Sequence, residues 1–293
     1  MVNILHAEWQ KMVGNRWITG FLIWIFPVGA LGLVAGLSLS ALFSPSFRNN
    51  ISSELWTENF MVSWHFANDL FGRSFLLGFT AVTFAGEYQW GTWKNIVPRQ
   101  RRGLLIIAKF INLCVLILVA FGLMSVIFGF GYGILSRIAD VPYGPEVTNE
   151  VVREFLSDYA LQAILTFISV MIASIYAALS ALLMQSILGG VMVGIGVSVA
   201  EPLIIPSGLA FAHMFDKATF LHMGRFSPYY NIANVNSWVR SDQAITWLAS
   251  SFQEFNQTAP VDSMRFSVLV LAIWLVVGIG LVLYLFQRQD ITT

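Results

Sequence analysis

The chain has 293 residues, of which 57% are hydrophobic and 11% charged, with 16 basic side chains balancing 16 acidic ones. Soluble domains carry about a quarter charged residues, so this composition excludes a soluble enzyme, a disordered chain and a nucleic-acid binder with a basic face. The single cysteine, Cys114, has no partner for an internal disulfide, and the four histidines are scattered without metal-ligand spacing. What remains is an all-α polytopic membrane protein, one transmembrane domain over residues 1–293.

In chain order, residues 1–16 place Leu5, Trp9, Met12 and Val13 on one helical face, with Glu8, Gln10, Lys11 and Asn15 largely elsewhere. This pattern predicts a short helix in the headgroup plane that enters the first span through an elbow. No charge occurs from Trp17 to Phe47. That run exceeds the apolar core of a secretory signal and predicts a span over about 17–43. A span needs roughly 20 apolar residues, and residues 61–86 supply a second despite Asp69 and Arg73. The third covers 104–136. Tyr159 to Ala200 is uncharged over 42 residues, too long for one crossing. Gln185-Ser186 and Gly189-Gly190 offer a polar, flexible break, giving spans at 160–184 and 189–211. A sixth runs from 266 to 287.

Basic residues beside the spans set orientation. With both termini in the cytoplasm, the inner segments hold Lys11, Arg16, Lys94, Arg99, Arg101, Arg102, Lys109 and Arg288 against only Glu8, Glu87 and Asp290. The outer segments, 137–158 and 212–265, carry most of the acids. Asn149–Asp158 reads as a helix with Glu150, Glu154 and Asp158 on one face. Ala244, Leu248, Phe252 and Phe255 form an apolar stripe at helical spacing, the pattern of a packing helix.

Motifs of soluble catalysis are missing from the sequence: there is no GxxxxGK[ST] phosphate loop, HExxH or CxxC. Pro206-Ser207-Gly208 with His213 invites a serine-hydrolase reading, but nothing in the sequence fixes a base beside the hydroxyl. No catalytic residue and no metal ligand is assigned. The connection between spans two and three is richer: Glu87-Tyr88-Gln-Trp90-Gly91-Thr92-Trp93-Lys94, then Pro98-Arg99-Gln-Arg101-Arg102. Its aromatic rings and basic cluster suit headgroup phosphates, and equally suit a short rigid helix presented to a soluble partner.

This stretch resembles the loop of the ABC-two-type permease family, the membrane subunits of ATP-binding-cassette exporters, in which E-x-x-x-G-T-x-K/R follows the second span. Glu87, Gly91, Thr92 and Lys94 match that pattern, and Leu5-His-Ala-Glu8-Trp9-Gln-Lys11 is similar to the family's entry into span one. The span count, inside termini and long outer segment before span six agree over nearly the whole chain; the longer outer segment and the charges inside span two depart from the family. The resemblance implies an exporter permease in the plasma (cytoplasmic) membrane, moving an amphiphilic or peptide-like substrate outward as a homo- or heterodimer of permease protomers. It implies two separate ATPase subunits that hold the ATP and Mg, with no cofactor on this chain and no nucleic acid as partner. Glu87, Tyr88, Trp90, Gly91, Thr92, Lys94 and Arg99 would then couple the chain to the ATPase.

Ionisable groups inside a membrane are expensive and call for a role. Asp69 and Arg73 are spaced to pair on one helix face. Glu201, before Pro202 in span five, lies at a similar depth to Arg73, about 20 Å from the inner end of its helix. The three residues read as an interhelix ion pair, as part of a translocation path, or as a proton relay. An ion-coupled secondary transporter using Asp69, Arg73 and Glu201 is the rival class; such carriers often show internal repeats, and none is found here. His65, one turn before Asp69, reads as an interfacial histidine at a helix end.

Overall fold

A computed structural model describes residues 1–89, 91 and 102–289, and it is helical nearly throughout. Helix α1 spans Val2–Gly14 and α2 spans Arg16–Phe43, with a π-helical turn at Gly20–Trp24. A broken segment follows: α3, Trp56–Asn68, then α4, Leu70–Gln89. Next come α5, Arg102–Ala139, and α6, Asn149–Met184. Helices α7, Ile187–Ala200, and α8, Ile204–Phe215, are joined through a 3-10 turn at Glu201–Leu203. Helices α9, Pro228–Ser241, and α10, Ala249–Glu254, precede α11, Met264–Arg288.

Among the described residues, five helical stretches are long and apolar enough to cross a membrane: α2, α5, α6, the α7–α8 pair and α11. The expected span over 61–86 is instead two helices. Asp69 takes an extended backbone, and its carboxylate accepts the Phe71 N–H at 3.3 Å. A short acidic side chain satisfies an orphan N–H at a helix start, so the residue expected to pair with Arg73 caps α4. At Gly72 the first turn of α4 meets the carbonyl of Phe66, and a side chain there would collide with it. Four further starts are capped in the same way: Thr148 accepts from Val151, Ser186 from Gly189, Ser227 from Tyr230 and Ser263 from Phe266.

Helices α5 and α6 form the centre. The first packs on α1, α2, α3 and α11, and the second on α3, α4, α7, α9 and α11. With 38 and 36 residues at about 1.5 Å per residue, both exceed the roughly 30 Å of a hydrocarbon core. The helix expected at Asn149–Asp158 is thus the first part of α6, continuous with the apolar stretch behind it. The 42-residue uncharged run breaks at Gln185, in the left-handed region at φ 50°. Helix α7 then runs back against α6: a Cβ on Gly190 would stand 2.8 Å from that of Ala181, and one on Gly194 3.1 Å from that of Ala177. Small residues four apart on both helices bring the two backbones together.

The outer faces of α2, α7 and α11 are apolar and open, with Leu31, Leu42, Met192, Val193, Val276 and Val277 exposed. Water does not favour a helix that is apolar all round; hydrocarbon does. The chain therefore has the build of a multi-pass membrane protein. Helix α1 and the end of α11 lie at one end of the bundle, where Asn112 donates to the Leu5 carbonyl at 3.0 Å, Gln289 to the Leu182 carbonyl at 2.6 Å and Arg102 to the Gln289 carbonyl at 2.8 Å. The opposite, distal end carries a two-residue parallel pairing of β1 (Glu54–Leu55) with β2 (Tyr143–Gly144). A second small core also lies there, of Ala212, Ala218, Leu221, Tyr230, Leu248 and Phe252. The stripe expected as one helix over 244–255 reaches this core through a turn and the short α10, with Leu248 and Phe252 buried.

Candidate functional site

The first chemical concentration lies at the terminal end, where α1, the last turn of α4 and the start of α5 converge on four charges. Lys109 Nζ reaches Glu8 at 2.9 Å and Glu87 at 3.2 Å; Lys11 Nζ reaches the same two carboxylates at 2.5 and 3.0 Å. Glu8, Glu87 and Lys109 are buried, and Lys11 is open on one side at 41% exposure. Lys109 also donates to the Thr83 carbonyl at 3.0 Å, and Asn112 to the Leu5 carbonyl at 3.0 Å. Burial opposes the charge on Glu8, but Lys109 and Lys11 outweigh it and hold the carboxyl below its ordinary value. For Lys11 burial is likewise outweighed, by Glu87 and Glu8, and its pKa is raised.

Three of these residues lay outside the expected site. Glu8 sits on the buried face between Ile4 and Met12, not on the polar face its neighbours suggested. The signal in the sequence was the isolation of each charge: Lys109 stands alone after Leu104-Leu105-Ile106-Ile107-Ala108, and a lone charge in an apolar run needs a counter-charge. Of the expected coupling residues, Glu87 faces inward into this cluster. Tyr88 donates its hydroxyl to Gln289, tying the end of α4 to the chain's last helix. Gly91 has φ 64° and open space where a side chain would stand, a backbone that glycine adopts freely. Trp90, Thr92, Lys94 and Arg99 lie outside the described residues.

The second concentration is a polar cavity of about 280 Å³ between α3, α4, α6 and the α7–α8 junction, covered on the distal side by Tyr229, Asn236 and Trp247. Arg73 and Glu201 both line it, as do His65 and Gln162. The Arg73 guanidinium donates to Asn68 Oδ1 at 2.6 Å and to Ser169, which itself donates to Asn68 at 2.8 Å. Glu201 is buried. The expected pairings of Arg73, with Asp69 along the helix or Glu201 across it, are not formed. Asp69 is spent on its cap, and no ion pair within 4 Å joins Arg73 to Glu201.

Around the cavity's roof, Asp262 is a hub. Its carboxylate accepts from Arg225 Nε at 2.8 Å and Tyr230 at 3.0 Å, and its carbonyl accepts from Asn234 at 3.0 Å and Trp238 at 2.8 Å. The bonds to Asp262 raise the Arg225 pKa; burial, with Asp262 beside it, raises that of Tyr230. A segment without a large core of its own is thereby pinned to α11. His213 pairs with Glu254 at 3.1 Å, and among the described residues no hydrogen bond joins it to Ser207, as a serine-hydrolase reading would need. Among the described residues no group of three metal-ligating side chains occurs.

By fold and site the chain is an all-α protein with the helices of a multi-pass membrane protein and two buried charged centres. No family model matches it, and no curated protein does.

Proposed function

We propose that this chain is the transmembrane permease subunit of an ATP-binding-cassette exporter, moving an amphiphilic or peptide-like substrate outward with ATP hydrolysed on separate ATPase subunits. In this proposal α3 and α4 together make the sixth crossing, both termini lie in the cytoplasm of a plasma membrane, and two permease protomers meet two ATPases. ATP and Mg then belong to the partner.

One observation carries the proposal: the base of the connection between α4 and α5 is fastened by buried charge to α1 and α5 at once. A push on a free loop is lost in the loop. A push on a loop whose root is pinned to three helices moves those helices as a body. Glu87 matches the family pattern in sequence, and its place in the cluster gives it a mechanical role, fixing the root of the loop while the residues beyond it meet the ATPase. Co-expression with a neighbouring ATPase tests this. Copurification and substrate-stimulated hydrolysis are expected, with hydrolysis uncoupled from transport in Glu87→Ala or Gly91→Pro while both variants still insert. Unchanged coupled turnover in both variants contradicts the proposal.

A second reading, an ion-coupled carrier, is favoured by the unpaired Arg73 and Glu201 in one cavity. Proton-driven uptake into vesicles that lack any ATPase would support it and count against the exporter.

A further inference from the structure

We propose that the cavity holding Arg73 and Glu201 binds a zwitterion, a small ligand or headgroup that carries both an anionic oxygen group and an ammonium. The first reason is the separation of charge. Buried opposite charges close on each other when they serve to hold helices together, because each otherwise loses its hydration without compensation. Here the buried Glu201 and the half-buried Arg73 line one cavity with no ion pair within 4 Å between them. A ligand with both charges satisfies both groups at once.

The second reason is an unmet donor and an unmet acceptor among the lining residues. Arg73 Nε and Asn236 Oδ1 are both buried without a hydrogen-bond partner. Native interiors rarely leave such atoms unsatisfied, and a ligand bearing an acceptor and a donor supplies both partners. The third is the placement of aromatic rings. Tyr229 and Trp247 line the same cavity as Glu201, with ring centroids 5.6 Å apart. A buried carboxylate and two aromatic rings thus line one space, the combination that favours a quaternary ammonium. Arg73, Asn68 and Ser169, joined by hydrogen bonds in the same lining, suit a phosphate or carboxylate. At about 280 Å³ the space is at the small end of ligand pockets, which selects a headgroup or amino-acid-sized solute over a peptide.

The site stands apart from the exporter proposal, because binding is measured on the purified chain without any ATPase; failure of one leaves the other intact. In maltoside micelles, whose headgroup is uncharged, calorimetric titration with phosphocholine is expected to saturate at least about tenfold more tightly than choline or inorganic phosphate alone. Saturation by free phosphocholine identifies a soluble solute as sufficient. Saturation only by a short-chain phosphatidylcholine identifies a lipid headgroup, and saturation by glycine betaine in place of phosphocholine sets the anionic group as a carboxylate; each supports the site. Arg73→Gln and Glu201→Gln should each weaken binding about tenfold or more. Trp247→Ala, on the half-open roof, should weaken the choline-bearing ligand while leaving the fold intact, so a misfolded charge variant does not spare the proposal. No saturable binding by any of the three zwitterions overturns it, as does unaltered affinity in Trp247→Ala together with a folded Arg73→Gln.

Discussion

The two ends of the bundle treat buried charge in opposite ways. At the terminal end, Glu8, Lys11, Glu87 and Lys109 lie within 3.2 Å of their partners. Beneath the distal segment, Arg73 and Glu201 face one space and do not meet. Under the two proposals these charges serve two ends: where they close they would carry force between helices, and where they stay open they would receive a ligand. The contrast is measurable, because removing a member of the closed cluster breaks ion pairs, whereas removing an open charge breaks none within 4 Å.

The largest effect is expected from Lys109→Ala. It takes a buried cation from between two buried carboxylates, and breaking a buried pair costs about 3–5 kcal/mol. Thermal unfolding in detergent reads the loss, and the double variant Glu8→Met with Lys109→Leu should recover most of it, since well-packed apolar replacements are often neutral. If Lys109→Ala unfolds like the wild type, the cluster is not closed. Next comes Gly190→Leu, which forces a side chain into the 2.8 Å gap at Ala181. Overpacking of this kind costs about 1–3 kcal/mol, read by the same melt, and Gly196→Leu, which has open space where its side chain would stand, is the control. Loss of the α4 cap in Asp69→Ala should cost about 1 kcal/mol and raise amide exchange around Phe71.

The smallest stability effect separates the two regions most cleanly. Arg73→Met is expected to change the melting temperature little, or to raise it, because a desolvated charge without an ionic partner is removed. A drop as large as that of Lys109→Ala would show that Arg73 is paired. Solution pH sharpens the same point. The Glu8 carboxyl is held below its ordinary value of 4.5, so its contribution is present above that value and is lost as pH falls through the lowered one. Lys11 is raised above 10.5, so its contribution persists below that value and fades as pH rises through the raised one. Hydrogen-exchange protection in α1, taken relative to the intrinsic exchange rate at each pH, should accordingly be flat across neutral pH and fall at both extremes.

Much of the architecture is legible from apolar runs alone, since lipid imposes length and excludes charge. The polar Gln185-Ser186 pair marks where α6 ends because a long helix can stop there only with a residue that tolerates the left-handed region and a hydroxyl that caps the next helix. The break at Asp69 was within reach of the same logic: a carboxylate in an apolar run is as good a cap as it is an ion-pair partner, and spacing to Arg73 alone does not choose between them. The closed cluster was less legible. Glu8 and Glu87 are 79 positions apart in sequence, and only packing of α1 on α5 makes them neighbours. The cavity's cover was not legible at all, because Tyr229, Asn236 and Trp247 belong to a segment whose place is set by the bonds that converge on Asp262.

The central claim is that the chain receives its drive at the terminal end, through the connection rooted at Glu87. Gln89, exposed at the end of α4, reports on it directly. In a Cys114→Ser background, Gln89→Cys should resist a membrane-impermeant maleimide in intact cells and crosslink to a co-expressed ATPase subunit in membranes. Labelling from outside, with no crosslink to any nucleotide-hydrolysing partner, would contradict the account.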